Sequence, residues 1–393
     1  ALHSDAVSTL ERFSTESLRE LVVTFRDAVR AHSGGHNRLN VYPVPDGDTG
    51  TNMARTLDAV VAEMESADAD DLAATCDAIS HGSLMGARGN SGVILSQILR
   101  GFASTIKEQA GGLREHTDGA GHRFADALSA ASTGAYQAVL KPIEGTILTV
   151  VRESADAAKE ASGRGASLVE VLRASQAAGR EALAKTPDLL PVLKDAGVVD
   201  AGGAGYLLLL DSALHVVDGD PLPEPDESEG PTPEQLEAAA QRMSQVDGEL
   251  DVSEQRYEVM YLLDLDDIHI DDFKSGWGAI GDSIVVVGGD GLWNCHVHTN
   301  DIGGSIEVAL DLGGRPRQIR VTDLFEEVDE EHAQREAAMH GDHVPTRAGA
   351  GQPPVTTAVV AVCSGDGLAE LFANLRVQGI VTGGQTLNPS TAE

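Results

Sequence analysis

Apolar side chains recur at helical spacing through the first 217 residues, and this period decides the fold class of that region. Leu57, Val60, Val61 and Met64 lie at i, i+3, i+4 and i+7 and form one apolar face. Ile94, Leu95, Ile98, Leu99 and Phe102 repeat the pattern, as do Ile147, Leu148, Val151 and Ala155, and then Leu168, Val171 and Leu172. Alanine and leucine dominate and β-branched runs are short. A helical bundle or helical barrel is the natural way to bury such faces.

The composition breaks at Asp218. Residues 218–233 hold five prolines among many acids, which predicts an extended, self-repelling linker. A helix is expected near Pro233–Val246. Strands are then expected at Tyr257–Leu265, Ser283–Val287, Leu292–Thr299 and Gln318–Thr322, with a helix over Ile302–Leu312. The run Gly288-Gly289-Asp290-Gly291 reads as a hairpin turn. This makes residues 234–328 a small α+β domain. A second polar linker covers 329–354. Residues 355–393 open with a strand at Thr356–Cys363, followed by a helix near Leu368–Val377 and a strand from Gly379. One strand–helix–strand unit cannot bury a core, so the expectation is an α/β domain cut short.

The chain has 393 residues and a formal net charge of −34. That argues against nonspecific binding to nucleic acid or anionic membrane, which requires a basic surface. No run approaches the length of a membrane span. The N-terminus has neither a basic n-region nor an apolar h-region, so no signal peptide is expected. Cys76, Cys295 and Cys363 are sparse and odd in number, which points to a reducing cytoplasm.

Chemistry concentrates in glycine-bearing loops that each open a helix. The stretch Asn40-Val41-Tyr42-Pro43-Val44-Pro45-Asp46-Gly47-Asp48-Thr49-Gly50-Thr51-Asn52 sets two carboxylates two residues apart. Read as a calcium loop from Asp46, it has Gly50, Thr51 and Leu57 where ligands or the turn glycine belong, so it is not an EF-hand. A Walker A Gly-Lys-Ser/Thr is absent. Two readings remain: a Pro-Asp-Gly turn capping a helix, or an Asp46–Asp48 site for Mg²⁺ with phosphate. In the second, Thr49, Thr51 and Asn52 are available as caps or phosphate donors. A second motif, Gly86-Ala87-Arg88-Gly89-Asn90-Ser91-Gly92, precedes a helix expected from Val93. Here Ser91 suits an N-cap and Arg88 can neutralise phosphate. Glu144-Gly145-Thr146 and Asp200-Ala201-Gly202-Gly203 also lead into helices. Four such loops meeting at one end of a bundle would make a nucleotide site. In the middle domain, strand alternation places Trp293, Cys295 and Val297 on one face and Asn294, His296 and His298 on the other. Two histidines at i, i+2 can chelate one metal or simply face solvent or an interface.

With these motifs in hand, the chain resembles a known family. The Asn40–Met53 stretch, Arg88-Gly89-Asn90-Ser91-Gly92 and Asp195–Gly203 are similar to signatures of the kinase domain shared with dihydroxyacetone kinases. The Val-Pro-Asp-Gly-Asp-Thr form and the later domains resemble the ATP-binding subunit of bacterial fatty acid kinase. The resemblance implies an all-α, eight-helix barrel with ATP at one open end and Mg²⁺ on Asp46 and Asp48. It implies that Asn40 stands where a third aspartate is found in the dihydroxyacetone kinases. It further implies phosphate or metal-shell contacts from Thr49, Asn52, Gly89, Asn90 and Ser91, with Thr51, Gly92, Asp200 and Gly202 also at the cofactor. The implied acceptor is a fatty acid carboxylate brought by a fatty-acid-binding carrier protein, the product an acyl phosphate, and the assembly a homodimer. A carboxylic acid is already ionised at neutral pH, so no catalytic base is needed. The difficulty is repulsion between anions, which Mg²⁺, Arg88 and helix N-termini would offset. The family also implies Zn²⁺ on His296, His298 and a cysteine of an earlier strand, where this chain has Glu258. The alternatives are a small-molecule kinase with a hydroxyl acceptor and a non-catalytic nucleotide-sensing scaffold.

Overall fold

The computed structural model describes residues 14–111, 119–225, 231–232, 235, 255–326, 360–363 and 379–382. The helices of the first region are α1 (Thr15–Leu39), α2 (Thr49–Ser66), α3 (Leu72–Gly86), α4 (Gly89–Gly111), α5 (Ala120–Ala138), α6 (Ile147–Gly163), α7 (Leu168–Leu189), the short α8 (Pro191–Ala196) and α9 (Ala201–Asp218). Their starts follow ordinary capping chemistry. Ser14, Asp71, Thr146, Ser167 and Asp200 each accept a backbone N–H at a helix N-terminus, and Ser167 with Glu170 forms a full capping box.

Successive helices from α1 to α7 pack side by side, and α9 lies against α7, α6 and α1. The order of neighbours is therefore cyclic. The predicted apolar faces point into the shared core. Leu57, Val60, Val61, Met64, Ile98, Leu99, Phe102, Leu148, Val151, Val171 and Leu172 are all buried there, beside Phe25, Phe124 and Tyr206. Small residues set the spacing between helices. At Gly101 of α4 a Cβ would lie 2.7 Å from the Ala130 carbonyl oxygen of α5 and 2.9 Å from the Ala131 Cα.

The second region is one antiparallel sheet in the order β2–β3–β1–β4, formed by β1 (Tyr257–Asp264), β2 (Gly281–Gly289), β3 (Leu292–Thr299) and β4 (Arg315–Asp323). The β2–β3 hairpin turns where the glycine run predicts, with Asp290 and Gly291 at φ 53° and 81°. Helices α10 (Ile270–Gly278) and α11 (Ile302–Asp311) cover one face. The sequence reading lacks α10; its signal is only Phe273 and Trp277 at i, i+4, both fully buried. Also, β2 and β4 run longer than the apolar alternation suggests, because Gly281, Asp282, Arg315 and Arg317 continue the ladders without adding buried bulk.

The two sheet faces differ as the alternation requires. Val259, Tyr261, Leu263, Val286, Trp293, Cys295 and Val297 pack under Phe273 and Trp277. On the opposite face Met260, Val285 and Val287 pack against Leu84, Ala87, Val93 and Ala138 of the helical region. This seam is pinned by hydrogen bonds. Asn294 Nδ2 donates to the Leu84 carbonyl at 2.8 Å, the Leu140 N–H to the Ile284 carbonyl at 3.2 Å and Arg100 to the Gly288 carbonyl at 3.2 Å. Lys141 and Asp282 add an ion pair at 3.6 Å.

Residues 329–393 form a separate compact unit. Within it, β5 (Val360–Cys363) and β6 (Gly379–Thr382) pair in parallel, as a strand–helix–strand unit requires. The helices expected near Pro233–Val246 and Leu368–Val377 lie outside the described residues.

The Gly101 contact gives a direct test of the helical packing. Gly101→Ala is expected to lower stability by about 1–3 kcal/mol through overpacking against α5, read as a reduced urea midpoint. An unchanged midpoint would contradict the close α4–α5 approach.

Candidate functional site

One cavity of about 320 Å³ gathers the loops singled out in the sequence. Its walls include Asn40, Asp46, Asp48 and Thr49 before and at the start of α2, and Gly89, Asn90 and Ser91 at the start of α4. Thr146, Ile147 and Leu148 at the start of α6, and Asp200, Ala201 and Gly202 at the start of α9, complete the polar end. Four helix N-termini thus face one space. Each carries unpaired N–H groups and a partial positive charge, so the cavity is built to receive an anion.

The carboxylate pair sits among these N-termini. Asn40 Nδ2 donates to Asp46 Oδ1, and Asn52 Nδ2 donates to Asp48 Oδ2, both at 2.5 Å. Burial holds the Asp48 carboxyl above its ordinary value, against a hydrogen bond shared with Asp46, the Asn52 amide and the field of Arg55. Two carboxylates that share a hydrogen bond in a buried pocket are short of positive charge.

Asp200 is equally constrained. It is buried, and its carboxylate accepts from the Gly203 N–H at 2.7 Å and from the Gly202 and Ile147 backbones, joining the starts of α9 and α6. Burial nonetheless raises its pKa to about 6. The fourth loop is fixed by Glu144. Thr149 Oγ1 donates to its Oε2 at 2.6 Å, Arg152 to its Oε1 at 2.7 Å, and the Gly145 N–H donates to Thr149 Oγ1 at 2.8 Å.

Some expected site residues stand back from the cavity wall. Thr51 is tied to Asn37, donating its N–H to Asn37 Oδ1 and accepting from Asn37 Nδ2. Asn52 reaches the site through Asp48. Gly92 lies against α2, where a Cβ would meet Thr56 Oγ1 at 2.4 Å. Arg88 is half-buried beside the wall and donates to the Ala87 carbonyl. One expectation is corrected: α4 begins at Gly89, not Val93, so Ser91 lies in its first turn and is not the cap. Gly89 takes φ +55°, which lets the chain turn into the helix four residues earlier.

The middle-domain trio also comes together. Glu258 pairs directly with His298 across β1 and β3, and His296 lies two residues away on the same face. Ligand atoms of Glu258, His296 and His298 all lie within 4.8 Å of one another, with His296 Nδ1 3.6 Å from Glu258 Oε2. Both histidines are buried, which lowers the pKa of His298 to about 4 and that of His296 well below the ordinary value. His296 Nδ1 and Nε2 and His298 Nδ1 have no hydrogen-bond partner. Cys295 points into the opposite core, as the alternation requires.

The sequence reading treats this cluster and the nucleotide loops as separate sites. In the structure Glu258 and His298 line the same cavity as Asp46 and Asp48, together with Lys141, Asp282 and Ser283. Lys141 had one legible signal, a cation in the loop just before Glu144-Gly145-Thr146 in a strongly acidic chain. Asp282 and Ser283 had none, because their place depends on the seating of the sheet.

Comparison with known proteins agrees with this organisation. Residues 43–215 match the DAK2 domain, residues 254–331 the FakA-like middle domain of fatty acid kinases, and residues 358–393 the corresponding FakA-like C-terminal domain. The chain belongs to the FakA-like fatty acid kinase family. It is 34% identical over 382 residues to Protein YloV of Bacillus subtilis, covering 95% of this chain and 66% of that protein. It is 34% identical over 361 residues to an uncharacterized protein of Staphylococcus haemolyticus, covering 90% and 62% respectively. The chain thus spans somewhat less than two thirds of the length of these relatives. The DAK2 domain marks a kinase-family member and implies nucleotide binding in general. No helix among the described residues is long and apolar enough to cross a membrane.

Asp200 gives a pH test. Its folded pKa of about 6 lies above the ordinary 3.8, so the folded chain holds the extra proton between these values. Its contribution to stability therefore falls as pH rises through that window, by up to about 3 kcal/mol. Asp200→Asn removes this cost. Relative to the parent chain, the variant is expected to gain stability from pH 4 to pH 7 in urea titrations; a difference that stays flat across the window would contradict the assigned burial.

Proposed function

We propose that this chain is the ATP-binding component of a fatty acid kinase. It would transfer the γ-phosphoryl group of ATP to a fatty acid carboxylate held by a separate carrier protein, giving acyl phosphate and ADP. The observation that carries this reading is the meeting of four helix N-termini with the Asp46–Asp48 pair on one cavity. The cyclic order of helices supports reading the first region as the family's eight-helix barrel, with this cavity at its nucleotide end.

The chain's own residues account for what such a transfer requires. Backbone N–H groups at the starts of α2 and α4 (Thr49, Gly89, Asn90 and Ser91) donate to phosphate oxygens, with no reorganisation at the moment of reaction. Asp46 and Asp48 suit Mg²⁺, since each is a hard oxygen donor and the pair lacks compensating charge. Asn40 and Asn52 orient them. Bound there, Mg²⁺ supplies charge neutralisation to the phosphates. Arg88 adds positive charge beside the same helix start. The acceptor oxygen forms its bond to the γ-phosphorus while the bond to the β–γ bridging oxygen breaks, and ADP carries that electron pair away. The acceptor is a carboxylate with a pKa of about 4–5, so no proton has to be removed.

Glu258, His296 and His298 suit Zn²⁺. Burial keeps both imidazoles neutral, and three of their nitrogens are otherwise unpartnered. Bound there, the ion would cross-link β1 to β3 at the cavity wall.

Two measurements test this reading. In a coupled assay with MgATP, a fatty acid and its carrier, Asp46→Ala and Asp48→Ala should each lower turnover by at least about 100-fold; near-normal activity in both would remove the assigned site. Metal analysis of the purified chain should find zinc that His296→Ala loses. Equal zinc in both proteins, or none in the parent chain, would remove the second.

A further inference from the structure

Two more arginines stand beside Arg88, and they come from different parts of the chain. Arg320 lies on the edge strand β4 directly opposite Met260 of β1, so the two side chains share a sheet face. Met260 packs with Leu84, Ala87 and Val93 on that face, which turns Arg320 toward the Ala87–Arg88 loop. Arg55 approaches from α2. At Gly89 a Cβ would lie 2.2 Å from Asn52 Nδ2, and at Gly92 2.4 Å from Thr56 Oγ1. The stretch of α2 that carries Arg55 is therefore pressed against the turn that follows Arg88. Electrostatics agree with this placement: besides burial, Arg320 and Arg55 each depress the proton affinity of Arg88, and Arg55 favours the charged form of Asp48.

These guanidiniums are conspicuous because their neighbours are neutralised. Arg317 on the same strand pairs with Asp264, and Arg256 pairs with Asp323 at 2.7 Å. Among the described residues no carboxylate forms an ion pair with Arg55, Arg88 or Arg320. In a chain of net charge −34, three cations that repel one another and lack acidic partners mark a place for an external anion. Arg55 and Arg320 are exposed and Arg88 half-buried, so the cluster is open to solvent beside the Asp46–Asp48 pair.

We propose that Arg55, Arg88 and Arg320 receive the anionic head of the acceptor, a carboxylate before transfer and an acyl phosphate after it. This rests on the acyl-phosphate reading above. Arginine suits both forms, since its planar fork pairs with carboxylate and phosphate alike. Arg320 and Arg55 act as positioning residues: they hold the acceptor head near the metal pair and offset its repulsion from the nucleotide. Because Arg320 belongs to the sheet, the receiving site is complete only when the sheet is seated on the helices.

Acetyl phosphate is a small soluble probe for this site. Its binding can be followed by ³¹P line broadening with MgADP present to fill the nucleotide site. Arg320→Ala and Arg55→Ala should each weaken acetyl phosphate binding by about tenfold, the loss expected for one charge-assisted contact. Arg320→Lys should retain part of it. MgADP affinity should stay within about twofold of the parent chain, and circular dichroism should be unchanged. The proposal is overturned by absent binding in the parent chain, by unchanged binding in both alanine variants, or by a parallel loss of MgADP affinity, which would assign the arginines to the nucleotide. If MgADP does not bind the parent chain, the kinase reading fails instead. The same titration without nucleotide then still decides the arginine site.

Discussion

The contact between Asn52 and Gly89 is the constraint on which the rest of the site depends. A single amide group donates to Asp48 and lies where a Cβ at position 89 would be, 2.2 Å away. Only glycine allows that approach, and only glycine takes φ +55° there without strain. The carboxylate pair and the first turn of α4 are thereby held at one fixed separation. Any side chain at position 89 would push α4 away from α2 and open the polar end of the cavity.

The same end balances two opposite demands. Helix N-termini favour anions, and buried carboxylates oppose their own charge. Asp200 eases this conflict by accepting backbone N–H groups from α6 and α9, although burial still raises its pKa to about 6. Asp48 is shifted in the same direction for the same first cause. A cation between the aspartates together with an anion on the N–H groups would satisfy both, which is the charge pattern of a metal-bound phosphate.

Legibility in the sequence followed the range of the interactions. The 3.6-residue period located the apolar faces of α2, α4, α6 and α7 because helical burial repeats locally. Strand alternation placed His296 and His298 opposite Cys295 for the same reason. Cap chemistry was less readable: the small polar run Gly89–Gly92 fits several helix starts, and the tertiary contact with Asn52 selects Gly89. The joining of the metal trio to the nucleotide cavity could not be read at all. It depends on contacts such as Asn294 to the Leu84 carbonyl, 210 residues apart, and on the burial of Met260 and Val285 against α3, α4 and α5. Nothing in either segment alone announces that partner.

The central claim is that one cavity holds nucleotide phosphates on helix N-termini and their cation on Asp46 and Asp48. A crystal structure with Mg²⁺ and a non-hydrolysable ATP analogue tests this most directly. The account predicts phosphate oxygens within hydrogen-bond distance of the N–H groups at Thr49 and Gly89–Ser91, and the ion coordinated by both aspartates. Nucleotide bound elsewhere, or an ion that touches neither aspartate, would contradict it.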